Sequence, residues 1–231
     1  PARGGLPVTV PGALRGWQLA LERFGTRGLD TLLARPIAYA TGGFPVSPGI
    51  ANAWERSTEL LGRLSDSRRV WLPHGRAPRA AELFANPEFA ATLRTIADHG
   101  PDAFYTGSIA ARVAAAVRAD GGVMTADDLA AYRAEWVEPL AVEYRNGFTF
   151  HEIPPNGQGL AALLALNIAR GFDLSSLTYG SADYTHILIE SMKLAFVDAH
   201  AYVGDPRRVA VPGAGLLSGR YARERRALIA K

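Results

Sequence analysis

The stretch LAALLALNI, Leu160 to Ile168, offers a helix almost no polar side. An ordinary surface helix sets an apolar stripe against a polar face, whereas a helix that is apolar all round must be covered on most sides. Whatever fold this chain adopts therefore has to bring other layers around that segment. With 231 residues, 48% of them apolar, there is enough material for such a core, as one large domain or two small ones.

The residues leading into this segment read HEIPPNGQG, His151 to Gly159. Pro154 and Pro155 donate no ladder hydrogen bonds, so they end a strand, and Asn156 to Gly159 turn the chain into the helix. Two readings of that corner stand. Free backbone amides near Gly157, Gln158 and Gly159 point out of a helix N-terminus, where a carboxylate or phosphate is favoured, and Asn156 and Gln158 add side-chain donors. The plainer reading is a strand-to-helix corner in which glycine permits close packing. Local chemistry favours the corner.

Elsewhere helical spacing dominates. Leu14, Trp17, Leu21 and Phe24 form a stripe that ends at Gly25. LDTLLARPIAYATGG is a second helix with Pro36 as a kink or break, and SPGIANAWERSTELLGRL is a third. From Ser65 to Leu83, Pro73, Gly75 and Pro78 predict a long irregular surface excursion, the best candidate for a boundary. Asn86 caps a helix with Pro87 in its first position, and Gly100-Pro101 stops it. TGSIAARVAAAVRADGG puts Ile109, Val113, Ala116 and Val117 on one face. Thr125 caps the next helix, with Asp127 and Asp128 where the helix dipole favours negative charge. LAVEYRNGFTFHEI then alternates with a period of two, and Asn146-Gly147 suits a type I′ turn, so a hairpin is expected over 140–153. SADYTHILIESMKLAFVDAHAYVGDP is a final long, capped helix.

Candidate chemistry is sparse. His186 and Glu190 share a helix face, with His200 as a conceivable third metal ligand. However, Tyr184, Ile187, Leu188, Ser191, Met192, Ala195, Phe196 and Ala199 make a core stripe there, and a surface ion pair between His186 and Glu190 is the simpler outcome. No metal site is expected. His151 reads as a half-buried sheet residue, while His74 and His99 sit beside loop signals. There is no Gly-x-Ser-x-Gly and no Gly-x-x-x-x-Gly-Lys motif. The absence of cysteine excludes thiol catalysis and zinc–thiolate sites within the chain. Lys+Arg number 25 against 22 Asp+Glu, a balance that does not point to nucleic acid. The basic terminus SGRYARERRALIAK reads as a solvated helix face or a frayed tail. No apolar run reaches the ~18 residues of a membrane span, and PARGGLPVTVPGA holds no signal-peptide core. The start reads as mid-protein sequence, and the compartment stays open between cytoplasm and periplasm.

Taken together, VTVPGALRGWQLALERFG, GGFPVSPGIA, HGPDAFYTGSIAARVAAAV, GGVMTADDLAAYRAEWVEPLAVEYRNGFTFHEIPPNGQG and IESMKLAFVDAHAYVGDP resemble, in order, the gamma-glutamyltransferases. The likeness runs from about Val8 onward and is most specific over Gly121 to Gly159. It implies an N-terminal-nucleophile hydrolase, made as a precursor that cuts itself into a large and a small chain. The small chain's new N-terminal threonine attacks a γ-glutamyl amide, and its own α-amine serves as base.

On that resemblance, residues 1–231 are a single domain, a fragment from the middle and later large chain. The fold is α+β and mostly helical, part of an αββα sandwich. The nucleophile is expected beyond Lys231, and the arginine that grips the substrate's α-carboxylate before Pro1. No residue of the chain is then catalytic, no cofactor or metal is needed, and the fragment alone is inactive. Thr185-His186 resembles the nucleophile segment but lies inside a patterned helix. Many relatives carry a Ser-Ser-Gly-Gly tract where this chain has Asn156-Gly157-Gln158-Gly159, which opens other acyl amides as substrates beside γ-glutamyl compounds. Asn156 and Gln158 are expected to line the cleft from a scaffold corner. Apolar faces left uncovered where the small chain docks favour that partner or an oligomer. The rival is a non-catalytic helical interaction module.

Overall fold

A computed structural model describes residues 3–230, apart from the side chain of Asn146. The fold is α+β and mostly helical, and it divides into two compact units, 1–135 and 136–231. The division falls at residue 135, not in the Ser65–Leu83 excursion.

The first unit holds α1 (Ala13–Phe24), α2 (Leu29–Gly42), β1 (Phe44–Pro45), α3 (Pro48–Arg56), α4 (Thr58–Leu61), α5 (Ser65–Trp71), β2 (Leu83–Phe84), α6 (Pro87–His99), α7 (Asp102–Tyr105), α8 (Gly107–Ala119) and α9 (Ala126–Ala131). α2 packs against α6, and the core gathers Leu14, Leu33, Leu93, Ile96, Tyr105, Ala110, Ala114, Met124 and Leu129. The expected caps form. Asn86 Oδ1 accepts from Phe89 N at 3.0 Å. Thr125 and Asp128 close a reciprocal capping box, in which the Thr125 amide and hydroxyl hold the Asp128 carboxyl below its usual range.

Four expectations change here. α2 runs through Pro36 without a break. The third helix splits at Ser57 into α3 and α4. α8 buries Ala110 and Ala114 beside Ile109 and leaves Ala116 exposed, because small residues permit the closest helix approach. Finally, the Ser65–Leu83 stretch contains α5, and its end pairs antiparallel with the chain after α2, Phe44 opposite Phe84. Aromatic rings fasten it: Trp54 lies 4.8 Å and Trp71 5.7 Å from Phe84, centroid to centroid, and Trp54 Nε1 donates to Trp71 O at 2.9 Å. Periodicity does not reveal a segment fixed by isolated tryptophans.

The second unit holds β3 (Leu140–Glu143), β4 (Thr149–Glu152), α10 (Gly159–Ala169), α11 (Ala182–Tyr202), α12 (Gly213–Leu216) and α13 (Gly219–Arg226). β3 and β4 form the expected hairpin, with Val142 opposite Phe150. Its connection is longer than a two-residue type I′ turn: residues 145–147 make a 3-10 turn, Gly147 adopts φ +77°, and Tyr144 N donates to Phe148 O at 2.6 Å. α10 is buried as its composition requires, with Leu160, Leu163 and Ile168 fully enclosed. α11, α13 and the hairpin pack on it. Leu160, Leu164, Ala165, Ala195 and Leu216 form the core there. α11 buries less of its stripe than expected: Leu188 and Met192 are exposed, while Asp198 is enclosed beside Ser191, Ala195 and Ala199. No described helix is long and apolar enough to cross a membrane.

Candidate functional site

The corner between β4 and α10 is tightly built on one side and open on the other. A Cβ placed on Gly159 would lie 2.7 Å from Glu152 Oε2, 2.8 Å from Glu152 Cβ and 3.1 Å from the Ile153 carbonyl oxygen. A real side chain does not fit there, so glycine is needed for the strand end to pass this close to the helix start. The same geometry brings the Glu152 carboxylate to the amino end of α10, where the helix dipole favours an anion. This is the close packing of the corner reading, with the chain's own carboxylate beside the helix N-terminus.

Asn156, Gly157 and Gln158 sit on the outer side of that corner and are exposed. Gln158 occupies the position before the helix, but its side chain makes no capping bond; its carbonyl accepts from Ala161 N at 3.0 Å and Ala162 N at 3.3 Å. Both amide side chains are therefore open to solvent.

The other candidates are dispersed. His186 and Glu190 do not pair: His186 Nε2 lies 2.8 Å from the Ala230 carbonyl oxygen, and Glu190 accepts from Lys193 Nζ at 2.7 Å. His200 stands against the Phe196 ring, with centroids 6.0 Å apart. Among the described residues no His, Asp and Glu side chains gather in a group able to hold a metal ion. His151 is exposed instead of half-buried, because the hairpin buries Val142 and little else. Asp127 and Asp128 lie in the first turn of α9, and Thr185 lies within α11.

Sequence reading missed the polar centre of the second unit. Asp198, 0% exposed, receives Arg225 Nε on Oδ2 at 2.9 Å and the Arg225 Nη2 on Oδ1. The neighbouring Arg226 donates to the carbonyls of Ile168 (2.9 Å) and Asn167 (3.2 Å), satisfying the end of α10. The basic terminus is thus partly inserted into the unit; its last residue, Lys231, lies outside the described residues. The available signal was the spacing of adjacent arginines in YARERR, opposite a lone aspartate in the apolar pattern of α11.

The architecture and the segment order have counterparts among known proteins. The family model described as Gamma-glutamyltranspeptidase matches residues 1–231. Curated relatives include the acylase ACY 1 proenzyme of Pseudomonas sp. strain SE83, 39% identical over 98% of this chain and 40% of its own length. The glutathione hydrolase-like YwrD proenzyme of Bacillus subtilis is 36% identical over 94% of this chain and 41% of its own length. Among solved structures, cephalosporin acylase from Bacillus halodurans superposes with TM-score 0.90 at 42% identity, covering 100% of this chain and 44% of that one. Helicobacter pylori gamma-glutamyltranspeptidase gives 0.90 at 29% identity, covering 99% and 66%.

The chain belongs to the gamma-glutamyltranspeptidase family, a family of enzymes whose relatives here are named glutathione hydrolase and acylase proenzymes. It spans about 40% of the length of the curated relatives it matches.

Proposed function

We propose that residues 1–231 are the middle and later large-chain portion of an autoprocessed amide-cleaving enzyme, and that its nucleophile belongs to a separate small chain. In this reading the small chain's N-terminal threonine hydroxyl attacks the substrate carbonyl, with its own α-amine taking the proton. The two units contribute the helical part of an αββα sandwich. Asn156 and Gln158 line the cleft from the corner before α10. The whole enzyme transfers or hydrolyses γ-glutamyl groups of glutathione-like amides.

The observation that carries this reading is the family match over the full 231 residues, together with close superposition on a gamma-glutamyltranspeptidase. The candidate residues are engaged locally: His99 faces the Thr95 carbonyl and His186 the Ala230 carbonyl, Glu190 pairs with Lys193, and Asp128 caps α9. A chromogenic γ-glutamyl amide tests it. The full-length processed protein is expected to turn it over and the isolated 231-residue chain to give only background; turnover by the isolated chain would refute the division of labour.

A second reading has its own support. Identity to the Bacillus halodurans cephalosporin acylase, 42%, exceeds that to the Helicobacter pylori gamma-glutamyltranspeptidase, 29%, and Asn156-Gly157-Gln158-Gly159 departs from the Ser-Ser-Gly-Gly tract. The substrate would then be a cephalosporin or other acyl amide, cleaved by the same chemistry. Relative kcat/KM for γ-glutamyl and cephalosporin side-chain amides on the full-length protein decides between the two.

A further inference from the structure

Beyond the end of α10, Arg145, Arg170, Arg223 and Arg226 surround an open cavity of about 320 Å3, with Tyr144 and Gly171 in its wall. Three of these guanidiniums hold backbone carbonyls: Arg145 those of Arg170 and Phe172, Arg170 that of Glu143, and Arg226 those of Asn167 and Ile168. Arg223 is exposed, and no carboxylate pairs with any of the four among the described residues. A Cβ on Gly219 would lie 3.7 Å from Arg223 Nη1 and 3.9 Å from Arg170 Nη2, so these two groups converge over the same backbone. The Nε of Arg145 is buried without a partner.

One ordinary explanation is that arginines neutralise the carbonyl end of α10. It covers part of the cluster. A helix C-terminus carries about half a negative charge, and Arg145 and Arg226 already answer the carbonyls there and just beyond. Arg170 and Arg223 add charge that the helix end does not require. Asp173 is close enough for Arg145 to contribute to lowering its carboxyl, but the Ser175 hydroxyl holds that group more strongly. Burial first, and then repulsion from Arg170 and Arg223, pushes the Arg226 guanidinium below its ordinary value. The cavity is thus a place where cations repel one another and an anion relieves them.

We propose that this cavity binds a phosphate-class oxyanion from solution, gripped by Arg170 and Arg223 at the mouth with Arg145 and Arg226 behind. Guanidinium forks match tetrahedral oxyanions through paired N–H donors, and a dianion offers oxygens to forks arriving from several directions. The site is distinct from the corner at the opposite end of α10, where Asn156 and Gln158 lie.

Titrating inorganic phosphate into the full-length protein at constant ionic strength, read by calorimetry and thermal melting, tests the proposal. A saturable rise in Tm is expected, absent with chloride. Arg223→Gln is expected to weaken phosphate about tenfold, the loss of one charged hydrogen-bonding group. Arg220→Gln, on the same helix but paired with Glu224, is expected to leave binding unchanged. No saturable response would overturn the proposal, as would equal weakening by both variants, which marks general charge screening. A phosphate-blind protein whose Tm falls with Arg223→Gln would assign the cavity to a carboxylate of the remaining polypeptide, and the proposal would also fail.

Discussion

Tyr105 in the first unit and Asp198 in the second are both 0% exposed, yet their neighbours treat them differently. The Tyr105 phenol donates to Pro11 O at 2.7 Å, accepts from Arg15 N at 3.2 Å, and carries the Arg15 guanidinium 4.4 Å above its ring. Burial pushes that phenol's pKa up, so it stays neutral and needs no counter-charge. The Asp198 carboxylate has no such latitude. It is held by one guanidinium that arrives from α13. A neutral polar group in a core tolerates local adjustment, whereas an enclosed charge makes the docking of a particular helix obligatory.

Arg225→Ala breaks this contrast most severely, because it strands the Asp198 carboxylate. We expect a loss of about 3–5 kcal/mol in denaturant unfolding. The double variant Asp198→Leu, Arg225→Met should recover most of it, since an apolar pair of similar volume removes both desolvation costs. If the single variant costs under 1 kcal/mol, the pair does not hold α13. Tyr105→Phe should be milder, about 1–2 kcal/mol by the same assay, leaving Pro11 O and Arg15 N each short of one partner.

Smaller effects sharpen the picture at the surface of the first unit. Thr125→Ala removes half of the capping box and should cost about 1 kcal/mol, with faster hydrogen exchange confined to the first turn of α9. Glu82 pairs with Arg76 at 2.7 Å and accepts from Arg79 N at 2.8 Å; these contacts, Arg76 first, lower its pKa from 4.5 to about 2. Because the folded value lies below the unfolded one, its contribution is complete above about pH 4.5 and fades as pH falls toward 2. The effect is small because the pair is only half-buried and remains within reach of solvent and salt. Glu82→Gln should flatten the Tm profile across that window, and an unchanged slope would discount the pair.

These contrasts also mark what the sequence made legible. The caps at Asn86, Thr125 and Ser181, the burial of Leu160 to Ile168 and the 140–152 hairpin could all be read, because each rests on neighbours in the chain. Pro36 inside α2 and the Trp54–Trp71–Phe84 cluster could not, since tertiary packing overrides a local breaker and joins residues far apart. Arginines read as solvent-facing proved to serve a buried aspartate and a helix end for the same reason. At the corner, sequence chemistry favoured close packing, and Gly159 against Glu152 supplies it; the openness of Asn156 and Gln158 depended on where the strand ended.

That missing methyl at position 159 has a consequence for how the chain tolerates change. Residues 156–158 are exposed and a Cβ on Gly157 would meet nothing within 4 Å, but one on Gly159 strikes Glu152 at the preceding strand's end. Substitution is therefore governed by opposite rules at neighbouring positions. The outer side of the corner, the part proposed to line the cleft, is thus locally open to a new side chain at Gly157 and closed to one at Gly159.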